Sequence, residues 1–299
     1  MDQRQGSVNK MPQLFRTAAI TDEFAPDLEA ALAGMSAVGM TGAEMRLVSG
    51  RNMIDLSDEE VDQVRRTVEK RGMTVISLAS PLLKCVLPDS PSLDTRIEHD
   101  VFGSPYTFED QPRLTRRAFE IAERLGAPII RVFSYWRTVE PERCLPAAAA
   151  ALHELGETAA KRGITIALEN EQACNAGTGA EAAKLFALVK HPAVKLLWDP
   201  ANASILDETP YPDGYNSLPA DRIAHVHAKD CEVRDHKPTW GPLGEMAVDW
   251  KGQIAALRRD GYAGWISLET HWTGPNGDKF EASTICGRNL LSLVSATND

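Results

Sequence analysis

The chain has 299 residues, a net charge of −10 and an apolar fraction of 43%, with a pI near 5.3. That length suits one large α/β domain or two ordinary ones, with enough apolar residues for a sizeable core. The acidity argues against a nucleic-acid binder, whose affinity comes from clustered Lys and Arg, and no apolar run approaches a membrane span.

The opening MDQRQGSVNKMPQLFR lacks the apolar core of a secretory signal and reads as a flexible tail over 1–15, ahead of a single domain over 16–299. From there short apolar runs alternate with longer amphipathic ones. The expected strands are RTAAIT (16–21), GAEMRLV (42–48), MTVISLA (73–79), PIIRVF (128–133), ITIALEN (164–170), VKLLWD (194–199), IAHVHAK (223–229) and GWISLET (264–270). Between the second and third, DEEVDQVRRTVEKRG opens after Ser57, an N-cap residue with Glu60 placed to complete a capping box, and closes on Gly72. Between the fourth and fifth, PERCLPAAAAALHELGETAAKRG closes on Gly163 in the same way. Eight strands with room for eight helices predict a (β/α)8 TIM barrel. A doubly wound sheet is the alternative, but no Gly-rich phosphate fingerprint follows the first strand. The least regular stretches, 80–111, 203–219 and 230–247, follow strand ends and belong on the functional face. The five cysteines are scattered, without CxxC spacing, and read as reduced thiols of a cytoplasmic protein.

In such a barrel, chemistry sits at the C-terminal ends of the strands. Those ends carry Glu169 and Glu171, then Asp199 and Asn202, then His225, His227 and Lys229, then Glu269 and His271. Two Glu, one Asp and one imidazole form an oxygen-rich donor set suited to Mn²⁺, Mg²⁺, Co²⁺ or Zn²⁺. A plainer role stands beside each residue: a helix cap, an ion pair, a hydrogen-bonded core histidine. Three carboxylates buried at one mouth, however, need a cation or protons to compensate them.

IALEN, LLWDPAN, HVHAKD, GPLGE with VDW, and GYAGWISLETHW, in that order, resemble the xylose isomerase-like barrels of the sugar-phosphate isomerase/epimerase superfamily. The resemblance covers roughly the whole domain and is strongest from Ile164 onward. It implies one divalent metal ion held by Glu169, Asp199, His227 and Glu269, with Glu169 and Glu269 doubling as catalytic acid-base groups, and it makes His225 a neighbour of the ligand. It departs from the family at Asn202, where many members carry a histidine; an amide cannot carry a proton near neutral pH.

The candidates for holding substrate are Lys229, first, then Arg46, Arg131, Asn202, Glu171, His225 and Trp240, with His271 a further candidate. Arg46 has a plainer reading as an ion pair with Glu44, and Glu23 as the cap of the helix after strand one. The function the resemblance implies is a metal-dependent sugar, sugar-phosphate or keto-acid isomerase or epimerase, working by proton abstraction beside a metal-bound carbonyl through an enediolate. The alternative is a metal-dependent dehydratase of an inosose or related cyclic ketone, which begins with the same abstraction and then expels a hydroxyl. A sugar-binding barrel without turnover is the non-enzymatic reading. DNA repair by a three-metal relative is disfavoured because strand ends two, three and six lack the extra histidines. The expected partner is a small sugar or keto-polyol, with no nucleic acid or membrane, and a homo-oligomer is left open.

Overall fold

Eight parallel strands pair each with the next, and the eighth returns to the first to close a barrel. They are β1 (Arg16–Ile20), β2 (Gly42–Met45), β3 (Thr74–Ala79), β4 (Ile129–Val132), β5 (Thr165–Glu169), β6 (Val194–Trp198), β7 (Ile223–Ala228) and β8 (Trp265–Leu268). The computed structural model describes residues 15–99 and 105–296. The expected tail, apart from Phe15, therefore lies outside the described residues, as do 100–104 of the long loop after β3. Each expected strand forms, trimmed by one to three residues.

The helices around the barrel are α1 (Leu28–Val38), α2 (Asp58–Lys70), α3 (Gln111–Leu125), α4 (Leu145–Arg162), α5 (Gly179–Leu188), α6 (Pro200–Ile205), α7 (Trp250–Arg259) and α8 (Lys279–Ser295). Ser57 and Glu60 form the reciprocal capping box at the start of α2, satisfying amide groups that the helix itself cannot. Gly126 and Gly163 end α3 and α4 at φ values of 67° and 66°, a left-handed conformation that costs glycine nothing and turns the chain back toward the next strand. No helix of the described residues is long and apolar enough to cross a membrane.

Alternation along each strand divides its residues between two environments. Ile130, Ile166, Leu196, Val226 and Ile266 face outward into the main core against helix residues such as Leu32, Phe119 and Leu152. Ile129, Ala167 and Leu197 face inward and make a small separate cluster in the barrel. The same inward parity, carried up the strands, brings Arg131, Glu169 and Asp199 to the upper mouth.

Two hairpins differ from the expected loops. After β2 the chain folds back as Leu47–Val48 against Arg51–Asn52, so the second strand stops at Met45 rather than Val48. After β7, within the stretch expected to be irregular, Cys231–Arg234 pairs with Lys237–Trp240. The buried Asp230 carboxylate holds the base of this second hairpin by accepting the amides of Cys231, Gly244 and Val248 at 3.0, 2.8 and 3.0 Å.

Candidate metal centre

Glu169 ends β5, Asp199 follows β6, His227 lies on β7 and Glu269 follows β8. One donor atom from each falls within 4.8 Å of all the others, and all four residues are buried. His227 is at the centre. Its Nδ1 stands 3.3 Å from Glu169 Oε1 and 3.3 Å from Glu269 Oε2, while its Nε2 lies 3.1 Å from Glu44 Oε2. Asp199 has two tasks. Its Oδ1 accepts the amides of Ala201 and Asn202 at 3.0 and 3.1 Å, capping α6, and its Oδ2 points away from the helix toward Lys229 Nζ at 2.9 Å.

Two observations test whether a divalent ion fits. Glu169 Oε2 and Asp199 Oδ2 are fully buried without a hydrogen-bond partner; the nearby cations, Arg131 Nη1 at 3.3 Å and Lys229 Nζ at 2.9 Å, sit outside hydrogen-bond geometry. Buried oxygens left this way are costly. The 3.3 Å separations around His227 Nδ1 also match two ligands sharing one ion at about 2.0–2.2 Å each. The donor set fits the group.

The electrostatics agree. Burial works to lower the His227 pKa, yet Glu44, Glu169 and Glu269 hold it well above the usual imidazole range. Burial likewise opposes the charge on Lys229, and Asp199 and Glu269 overcome it. Asp199 is pushed up to about 6, by burial first and then by Glu169 and Glu269, against the pull of Lys229. Glu169 moves the other way, to about 2: burial would raise it, but His227 and Arg131 prevail. Against burial, Glu169 and Glu269 are thus held ionised by His227, Arg131 and Lys229, while Asp199 is left with an excess of negative charge around it that a divalent cation would relieve.

A cavity of about 780 Å³ opens above this cluster. Of the four donors only Glu269 lines it. Arg46, Arg131, Lys229, Glu171, Trp240 and His271 also line it, whereas Asn202 and His225 lie beneath, fully buried. Asn202 donates to Glu169 Oε1 at 3.2 Å and so holds a candidate ligand rather than facing the cavity. His225 Nε2 lies 2.8 Å from Glu44. Trp240 stacks against His271 with centroids 4.9 Å apart.

The suggested pair of Arg46 with Glu44 does not form. Arg46 instead binds Asp22 at 2.8 Å, Glu23 at 2.5 Å and Glu269 at 2.9 Å, because Glu44 is held deeper in the barrel by the two histidines. Glu23 is no helix cap either; Asp27 caps α1. Glu23 is buried and takes Arg46, Lys279 Nζ at 3.2 Å and the His271 amide at 3.3 Å. Sequence reasoning also passed over Lys84 on the cavity wall, 3.7 Å from Glu171 and 4.4 Å from the Phe133 ring centroid. Its only signal was its place in the long loop after strand three.

A profile of the xylose isomerase-like TIM barrel family matches residues 29–286. Over 148 residues the chain is 27% identical to inosose dehydratase of Lacticaseibacillus casei, a stretch that makes up 44% of this chain and 49% of that enzyme. The chain therefore spans about half the length of the curated relative it matches. Among solved structures it superposes on a fusion protein of a xylose isomerase-like TIM barrel with 4-hydroxyphenylpyruvate dioxygenase, at TM-score 0.71 and 20% identity, over 94% of this chain and 42% of that one. D-allulose 3-epimerase from Methylomonas sp. superposes at TM-score 0.68 and 18% identity, over 94% and 99% of the two chains.

Proposed function

The chain belongs to the xylose isomerase-like TIM barrel family, and from that premise we propose that it is a divalent-metal-dependent dehydratase of an inosose or a related cyclic hydroxyketone. The observation that carries the reading is the contact between Glu269 and Lys229 at the cavity floor. Glu269 is the candidate ligand that opens into the cavity, and its Oε2 lies 2.8 Å from Lys229 Nζ.

Glu169, Asp199, His227 and Glu269 would hold the ion, which when bound polarises a ketone oxygen and stabilises the negative charge that develops there. Glu269 is placed to take the proton from the carbon beside the ketone. Lys229, an ammonium held well above its ordinary range by Asp199 and Glu269 against burial, is placed to protonate the departing hydroxyl. The C–H and C–O bonds break, a C=C bond forms and water leaves. The proton on Glu269 then returns to Lys229 across their direct contact, restoring both groups. His271 is a poorer candidate, since burial pushes its pKa down to about 4 despite Glu269 and leaves it without the imidazolium proton near neutral pH.

Isomerisation and epimerisation share the first step and differ in having no acid at the hydroxyl. Lys229 and the dehydratase relative therefore favour elimination. Arg46, Arg131 and Lys229 each already face a carboxylate, which supports an uncharged polyol ketone over a phosphate ester. The five unpaired, buried cysteines support a reducing cytoplasm.

The test is incubation of the Mn²⁺-loaded protein with inososes and ketoses in D2O, followed by enone absorbance and NMR. Enone formation from an inosose is expected. Deuterium incorporation into a sugar without loss of water would replace the proposal with an isomerase or epimerase, and no exchange into any hydroxyketone would end it.

A further inference from the structure

Beneath the candidate metal centre lies a second buried group, Glu44 with His225 and His227, which the reaction outlined above does not use. Glu44 comes from β2 and the histidines from β7, across the barrel. All three side chains are fully buried. Glu44 Oε2 lies 2.8 Å from His225 Nε2 and 3.1 Å from His227 Nε2. These are hydrogen-bond separations. A carboxylate oxygen can only accept, so each imidazole presents an N–H from Nε2 to it.

On binding a cation His227 gives up its Nδ1 proton, and with Nε2–H held by Glu44 the lone pair on Nδ1 faces the space shared with Glu169 Oε1 and Glu269 Oε2, both 3.3 Å away. In the metal-free protein a proton on Nδ1 stands between these atoms, since against burial the surrounding carboxylates hold His227 well above the usual imidazole range, and a bound cation would take that proton's place. We propose that Glu44 is a positioning residue for the metal centre: it fixes His227 as the Nε2–H tautomer, aims Nδ1 at the ion and raises the basicity of that nitrogen. His225 shares the carboxylate oxygen and keeps Glu44 on the far side of His227. The inference rests on the metal centre proposed above. A carboxylate behind a ligating imidazole is worth roughly 10–100-fold in metal affinity, which is the size of the effect to look for.

The experiment measures Zn²⁺ affinity by chelator competition for the wild-type chain, Glu44→Gln and Glu44→Ala, each checked for folding by near-UV circular dichroism. In the Zn²⁺-loaded wild type, long-range ¹⁵N–¹H NMR of the histidines reports the tautomer without any substitution. The expected results are a protonated Nε2 with a metal-bound Nδ1 on His227, a loss of affinity of about 10–100-fold in Glu44→Ala, and a smaller loss in Glu44→Gln, whose amide oxygen still accepts one N–H. Unchanged affinity in a folded variant, or Nε2 as the ligating nitrogen, would overturn the role of Glu44 while leaving the metal centre intact. A wild-type chain that binds no Zn²⁺ would overturn both. If neither variant folds, the wild-type tautomer decides alone.

Discussion

Asp199→Asn separates metal binding from folding, because the two oxygens of Asp199 do different work. Oδ1 caps α6 through two amides, and asparagine caps as well as aspartate, so the roughly 0.5–2 kcal/mol of the cap is kept. Oδ2 faces the metal centre, and an amide nitrogen there can only donate. In the metal-free protein, removing a carboxylate whose pKa is pushed from 3.8 to about 6 relieves on the order of 3 kcal/mol above pH 6. Setting an amide N–H where Oδ2 stood, 2.9 Å from Lys229 Nζ, takes back about 1–3 kcal/mol. The two terms nearly cancel. In EDTA at pH 8 the variant should therefore melt within a few degrees of wild type. With Mn²⁺ at about a hundred times its dissociation constant the wild type gains about 2.7 kcal/mol, a rise of about 4 °C for a chain of this size, while the variant gains almost nothing. Scanning calorimetry with and without metal reads both numbers. An equal metal-dependent rise in wild type and variant would refute the assignment of Asp199 as a ligand.

Lys229→Met should keep solvent-deuterium exchange beside the ketone but slow water loss by about 10²–10⁴-fold, read by NMR against enone absorbance; equal slowing of both would remove Lys229 as the acid. Glu23 is held at about 2, where burial would raise it, by Arg46, His271 and Lys279. Its folded pKa is below its unfolded value, so its contribution of about 3 kcal/mol is present above pH 4.5 and lost as pH falls toward 2. Glu23→Gln should flatten that acid limb in urea titrations, and parallel curves for the two proteins would contradict the pairing. All five cysteines are buried, and burial pushes Cys85 and Cys231 up to about 12. A thiol reagent at pH 8 should leave the native chain unmodified and label it fully once unfolded. Ser57→Ala should cost about 0.5–2 kcal/mol through the lost α2 cap, with metal affinity unchanged by competition assay.

The barrel was legible because its signals are local. Each strand is a short apolar run, Ser57 and Glu60 lie within one helical turn, and Gly126 and Gly163 mark their own turns, so the sequence alone determined the eight barrel strands and their order, with each end placed to within one to three residues, but not the two added hairpins. It also brought Glu169, Asp199, His227 and Glu269 to one mouth, since the ends of parallel strands share one face of the barrel. Only the tertiary structure decided which charged side chain meets which. Arg46 reaches Glu269 across 223 residues of chain and His225 reaches Glu44 across 181. Nothing in the neighbourhood of Arg46 said that it would bind Asp22 and Glu23 instead of Glu44, or that Asn202 would turn its amide to Glu169 rather than to the cavity. A long side chain settles on whichever partner the closed barrel brings to it, and closure depends on all eight strands together. Periodicity along the chain specifies the face a residue occupies; the company it keeps there is a property of the assembled cylinder.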